Sequence, residues 1–192
     1  MNKLLSNWLA SIRAPRLARQ IVVAGLFLAS TSLALAQGNF EDDYDDENKP
    51  WQEIALQLPP PPQAETLLPF YVGPTATQDF FIDSKSISVG TDGVIRYTLV
   101  SVSKQGAKNI TYEGIRCATF EKKIYATGHT DGSWSRSRRN KWTPIVRNAA
   151  NRQHAALAID YFCLNLAVAS DREQMIRRIK NKNPLTEEQG RF

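Results

Sequence analysis

Gly90-Thr91-Asp92-Gly93-Val94-Ile95-Arg96-Tyr97-Thr98-Leu99-Val100-Ser101-Val102 decides how the chain folds. Two glycines and an aspartate supply turn chemistry, and nine residues rich in branched and aromatic side chains follow at once, which is the signature of a strand entered from a hairpin. Upstream, Ser86-Ile87-Ser88-Val89 alternates apolar with polar, so the two runs pair across the turn. Ile95, Tyr97 and Leu99 share one face, while Val100 and Val102 lie on the other. Such a switch predicts either a bulge or a strand buried on both faces.

Further strands flank this one. Phe80-Phe81-Ile82 precedes it, and Lys104-Gln105-Gly106-Ala107 turns the chain into Asn109–Cys117. In that run Ile110 and Tyr112 face one way and Ile115 and Cys117 the other, with Gly114 placed where a bulge would explain the change. Glu113 and Arg116, odd residues for a well-formed strand, read as a local ion pair. Phe120, Ile124 and Ala126 alternate with Glu121, Lys123 and Tyr125, and Gly128–Ser133 is loop. Past Asn148, a reasonable N-cap, residues 149–168 lack both Gly and Pro. His154, Leu157, Tyr161, Leu164 and Val168 recur at helical spacing, which predicts one long helix buried against the sheet. Asp171 starts a second helix that Asn183-Pro184 ends. The expected fold is therefore α+β, a mainly antiparallel sheet of about five strands covered by a long C-terminal helix.

The first 36 residues read as an export signal. Lys3, Arg13, Arg16 and Arg19 form a positive region without an acid, Ile21–Leu35 is a short apolar run, and Ala34-Leu35-Ala36 offers the small-x-small pattern for cleavage before Gln37. About 20 apolar residues are needed to span a bilayer, and this run has fewer. No Cys follows the site and no Arg-Arg pair precedes it, which points to the general secretory route and a periplasmic or secreted product without a transmembrane segment. Cleavage removes four of the 24 basic residues and none of the 19 acidic ones, so the net charge falls from +5 to +1. The basic pI of about 9.3 thus argues poorly for nucleic acid as partner. In an oxidising compartment the two cysteines, Cys117 and Cys163, pair as one disulfide.

Residues 37–65 read as a flexible lead. Six acids lie between Glu41 and Glu47, Pro59–Pro62 is a stiff tetraproline spacer, and Trp51–Leu58 between them suits one amphipathic turn that could dock on the domain. A single domain then covers 66–182, and 183–192 reads as a frayed tail.

The clearest functional cue is Trp134-Ser135-Arg136-Ser137-Arg138-Arg139-Asn140-Lys141-Trp142. Four cations between two indoles suit an anionic polymer or lipid headgroup, with the rings available for stacking. The competing reading has both tryptophans closing the edge of the core and the cations merely solvated, or facing the acidic run. His129-x-Asp131 has a spacing metals use, but no third ligand is fixed beside it, so neither metal nor cofactor is expected. Nucleophile elbows, a helical Ser-x-x-Lys and phosphate-cradling glycine loops are missing from the sequence. The alternatives are a non-enzymatic envelope binding or interaction module, for which an envelope protein is a further possible partner, and an envelope-acting enzyme without a readable motif. A cleft gathering His129, Asp131, Glu113 and Arg116 would favour the enzyme.

Several segments together resemble one family: Trp51-Gln52-Glu53 before Leu58-Pro59-Pro60, Ile82-Asp83 to Gly90, Asp92–Tyr97, Asn109–Cys117, and Tyr125–Gly128 through Asp131–Trp134. Over about residues 50–170 the chain is similar to the cryptic neisserial protein 1-like family of exported proteobacterial proteins. The resemblance implies a Gram-negative exported protein and brings with it no activity and no catalytic residues.

Overall fold

A computed structural model describes residues 50–186. The expected signal segment, the acidic run and the last six residues of the tail lie outside that range. Strands β1 (Leu67–Pro69), β2 (Gln78–Asp83), β3 (Ser88–Val89), β4 (Val94–Ser103), β5 (Lys108–Arg116), β6 (Glu121–Gly128), β7 (Trp134–Arg136) and β8 (Thr143–Pro144) form one antiparallel sheet. Its order is β1-β2-β4-β5-β6-β7, with β3 beside β4 and β8 beside β6. The sheet thus has more strands than the five expected, and the extra ones are two or three residues long, too short for alternation to reveal.

The central hairpin holds the structure. β4 and β5 pair from Val94↔Arg116 to Val102↔Lys108, and β4 is buried continuously from Val94 to Ser101. Burial on both faces, not a bulge, therefore explains the switch of apolar side chains along β4. Between β2 and β3 the ladder is interrupted, and the Thr98 amide donates instead to Ser86 Oγ at 2.8 Å. The bulge predicted at Gly114 lies on the partner strand: Tyr112 pairs with Ala126 and Glu113 with Ile124, which leaves Tyr125 as the extra residue of β6. Gly114 makes room for it, since a Cβ there would sit 2.6 Å from the Tyr125 hydroxyl and 3.0 Å from Val94.

The long helix is replaced by shorter pieces. Helix α1 (Gln153–Leu157) passes into a turn of π-helix at Ala158–Phe162, and β9 (Cys163–Leu164) and β10 (Ala167–Val168) then form a small hairpin. Asn165 and Leu166 at its tip have φ of +50° and +63°, a left-handed pair that no right-handed helix can contain. Leu164 and Leu166 consequently face solvent. Nor does Asn148 cap the helix, which opens at Gln153 behind Arg152. Helix α2 (Arg172–Asn181) is as predicted: Asp171 caps it by accepting from the Gln174 amide at 2.8 Å, and Lys182 ends it in a left-handed conformation.

The core lies between one sheet face and these helices, with Ile82, Ile95, Tyr97, Ile115, Leu157, Phe162, Met175 and Ile179 almost fully enclosed. Cys117, just beyond β5, bonds to Cys163, just beyond the π-turn, at a Cα separation of 5.5 Å. The disulfide therefore pins the helical layer to the end of the central hairpin, as the cysteine count predicts.

Candidate functional site

The segment between Trp134 and Trp142 leaves and rejoins a single strand edge. β7 pairs with the end of β6 through Gly128↔Trp134 and Ala126↔Arg136, and β8 pairs with its start through Lys122↔Thr143. The Ser137 amide still reaches the Tyr125 carbonyl at 2.8 Å, and the chain then swings away until Thr143. The bulge at Tyr125 marks the point of departure. Arg136, Arg138, Arg139 and Lys141 are all exposed, and among the described residues none of them has an ion-pair partner.

Both indoles turn inward. Trp134 packs on Tyr112 with ring centroids 6.2 Å apart and donates its Nε1–H to the Pro59 carbonyl at 2.9 Å. Trp142 meets Trp51 edge-on at 5.9 Å and Tyr125 at 6.4 Å, with the Arg116 and Lys123 cations 5.2 and 5.7 Å from its ring centre. The indoles are thus anchors, and the cations between them are what the loop presents to solvent.

The face into which they turn carries a second cluster, of which the sequence offered only the docking of Trp51–Leu58 on the domain and not the residues it meets. Residues 51–63 have no regular secondary structure, and the amphipathic turn expected within them is not formed. They lie across β4 to β7 on the face opposite the main core. The Trp51 indole donates to the Asp92 carbonyl at 2.8 Å and lies under the Arg116 guanidinium, 4.3 Å from its ring centre. Glu53 accepts from Lys123 Nζ at 2.6 Å and from the Tyr125 hydroxyl, and lies 3.6 Å from Arg96. Leu56 packs against Tyr112, Tyr125 and Ala126. Burial alone would raise the pKa of Glu53, but its bonds to Lys123 and Tyr125 and the nearby Arg96 charge outweigh burial and lower it. Asp92 is likewise lowered against the effect of its burial, by Arg96 at 2.6 Å and by the amides of Ile54 and Val94. A signal for this cluster did exist, in the Trp-x-Glu spacing ahead of the prolines, but only the sheet geometry says what it meets.

Glu113 and Arg116 are not an ion pair. Three residues apart on a strand, they point to opposite faces. Arg116 bonds Glu121 and Thr119 on the outer face, whereas Glu113 is buried in the core against His154 Nε2 at 2.8 Å, the Thr111 hydroxyl at 2.7 Å and the Tyr97 hydroxyl at 3.2 Å. His129 contacts Ser135 and Asp131 accepts from Ser133, so the four residues of the envisaged catalytic cleft have separate partners. Among the described residues no group of three metal-ligating side chains is close enough to hold an ion, and no helix is long and apolar enough to cross a membrane. A hollow of about 560 Å³ lies elsewhere, lined by Phe70, Tyr71, Arg152, Asp160 and Lys182, and burial raises the Asp160 pKa there.

The sequence profile of the CNP1-like family matches residues 46–180, a span that contains the sheet, the disulfide and the loop between the tryptophans. The chain belongs to the CNP1-like family. It is 30% identical over 149 residues to Cryptic neisserial protein 1 of Neisseria gonorrhoeae (strain ATCC 700825 / FA 1090), covering 69% of this chain and 72% of that protein. No solved structure matches it. Family membership therefore carries the sheet-crossing segment from Trp51 and the disulfide inside one matched unit, and it adds no reaction to what the geometry offers.

Proposed function

We propose that this member of the CNP1-like family is exported to the periplasm of a Gram-negative cell and acts there as a non-enzymatic binding module for anionic envelope material. The observation that supports this most is the loop itself: Arg136, Arg138, Arg139 and Lys141 stand exposed on a segment anchored by an indole at each end. A fastened loop holds its charges together without ordering a flexible tail on binding, which lowers the entropy cost of contact. Phosphate or carboxylate groups on lipid, lipopolysaccharide or peptidoglycan are the matching chemistry. Export rests on the Lys3–Ala36 signal pattern, and cleavage before Gln37 is checked by the intact mass of the protein recovered from periplasm.

The test is co-sedimentation of the exported chain with peptidoglycan sacculi and with anionic vesicles, at low and high salt. The comparison variant carries R136S, R138S, R139S and K141S together. Binding that is lost in high salt and in the variant supports the reading, because exposed charges are screened over about 10 Å at 0.1 M salt. Absence of binding at low salt overturns it.

A further inference from the structure

Residues 51–61 contact the sheet in the manner of a bound peptide. Trp51, Glu53, Leu56, Pro59 and Pro61 each meet a different part of the face, and the residues between them largely face water. The Trp51 ring, the Trp142 ring and the Arg116 cation meet one another, at 4.3 Å from Arg116 to Trp51, 5.2 Å from Arg116 to Trp142 and 5.9 Å between the indoles. Glu53 faces Lys123, Tyr125 and Arg96, a set of donors whose two positive charges favour an acid. Leu56 enters the aromatic cluster of Tyr112 and Tyr125, the Pro59 carbonyl takes the Trp134 N–H, and Pro61 lies where a Cβ on Gly132 would be 3.4 Å away. The segment shares no β-ladder with the sheet, and Trp51, Ile54 and Leu58 remain 44%, 42% and 38% exposed. It is held at points and not along its length.

We propose that this face is a peptide-recognition groove that takes the Trp51–Pro61 segment from a second copy of the chain as well as from its own. The groove is built from the sheet, independently of the segment's connection to it, because β4, β5, β6 and β7 set the positions of Arg96, Tyr112, Arg116, Lys123 and Trp134. Its charge and shape select an aromatic residue, an acid two positions on, an apolar residue three beyond that and a proline after three more. Exchange between two copies preserves every one of these contacts on both sides. The joint about which the segment would swing out is Gln63 and the single turn at Ala64–Thr66, and the stiff Pro59–Pro62 run moves with the segment. In the monomer a tethered segment competes at an effective concentration of the order of millimolar, so exchange is favoured only where copies are crowded or where the segment in cis is weakened. This inference does not depend on the basic loop binding a polymer, since it uses the inward contacts of Trp134 and Trp142 and none of the loop's four cations.

Two experiments on the full exported chain test it. In the first, W51A/E53A removes the segment's anchors and R116A/K123A removes the groove's cations. Each variant alone is expected to sediment as a monomer, and an equimolar mixture is expected to yield a species of twice the mass, one intact segment lying in one intact groove. A mixture that remains monomeric while both variants keep the wild-type circular dichroism overturns the proposal. In the second, a fluorescein-labelled peptide of residues 50–62 is titrated into W51A/E53A and into wild type. Saturable binding to the variant, at least tenfold weaker to wild type because its own segment fills the groove, is the expected result. Failure to bind the folded variant, or equal binding when the peptide itself carries both alanines, overturns the proposal even if R116A/K123A does not fold.

Discussion

His154 on α1 brings its Nε2 to 2.8 Å from the Glu113 carboxylate on β5, and this pair closes the sheet against the helical layer. Glu113 is 2% exposed, and the Tyr97 and Thr111 hydroxyls complete its surroundings. A carboxylate so placed is tolerated because its partners remain. Removing one strands it, at about 3–5 kcal/mol for a broken buried pair. H154A is therefore expected to lose about that much in urea denaturation, and E113Q/H154A less than the two single losses added together, because the double variant leaves no buried charge behind.

The same pair sets an acid limit. Burial pushes the Glu113 pKa up, but His154 and the Thr111 hydroxyl outweigh it and leave it below the ordinary 4.5. Glu53 and Asp92 are shifted in the same direction. A carboxyl whose pKa is lower in the folded state binds its proton more readily when unfolded. Its contribution is thus complete above the unfolded value and is lost as pH falls through the folded one. Stability should be flat just above pH 5 and decline below about 4.5. Denaturation midpoints measured from pH 7 to pH 3 check this. E113Q is expected to be less stable at pH 7 and to show a shallower acid decline. An equally steep decline in E113Q would place the acid sensitivity elsewhere.

The disulfide between Cys117 and Cys163 closes a loop with a sequence separation of 46. In the chain-entropy account that is worth roughly 4 kcal/mol of denatured-state restriction. C117S/C163S is expected to fold with a denaturation midpoint lowered accordingly, and mass spectrometry of the wild type should find no free thiol until reductant is added. Two free thiols in the untreated exported protein would contradict the pairing.

How far the sequence could be read depended on whether a contact was local. The strands around Gly90–Val102 and the cap at Asp171 were legible because turn residues, alternation and capping act within a few positions, and the cysteine pair, 46 apart, was legible only because there were just two to join. The end of α1 was not. Asn165-Leu166 takes a left-handed turn inside a run without glycine or proline, and leucines at helical spacing there look like a buried stripe until the hairpin exposes them. Nor could spacing show that Glu113 belongs to His154, 41 residues on, or that Glu53 belongs to Lys123, 70 residues on. For the loop, residue types identified the cations and left the inward turn of Trp134 and Trp142 as one of two readings, between which the Tyr125 bulge and the segment lying over it decide.

That bulge depends on Gly114. A Cβ there would approach the Tyr125 hydroxyl to 2.6 Å and its Cε2 to 2.9 Å, distances that side chains do not sustain without movement. G114A is expected to destabilise by about 1–3 kcal/mol, the usual range for overpacking. In Y125F the nearest clashing atom is gone, so G114A should cost less in that background. A double-mutant cycle by urea denaturation reads the coupling, and strict additivity would mean that Tyr125 is not what Gly114 accommodates.

The loop between the tryptophans separates anchoring from presentation, and stability measurements can distinguish them. Arg136, Arg138, Arg139 and Lys141 are exposed without ion pairs among the described residues, so changing each to Ser should alter stability by no more than about 0.5 kcal/mol. Trp142 differs, because its ring touches Trp51 and Tyr125 and carries the Arg116 and Lys123 cations over its face. Being half-buried, it should lose about 2 kcal/mol on replacement by Ala, below the range for a fully enclosed tryptophan. The informative comparison is between two losses of polymer binding. The four-fold Ser variant should lose binding with its denaturation midpoint intact, whereas W142A should weaken binding only as far as the loop loosens, retaining the same salt dependence per cation. If W142A abolishes binding while the four-fold Ser variant retains it, the indole rather than the charges makes the contact, and the inward packing of Trp142 must open for it to do so.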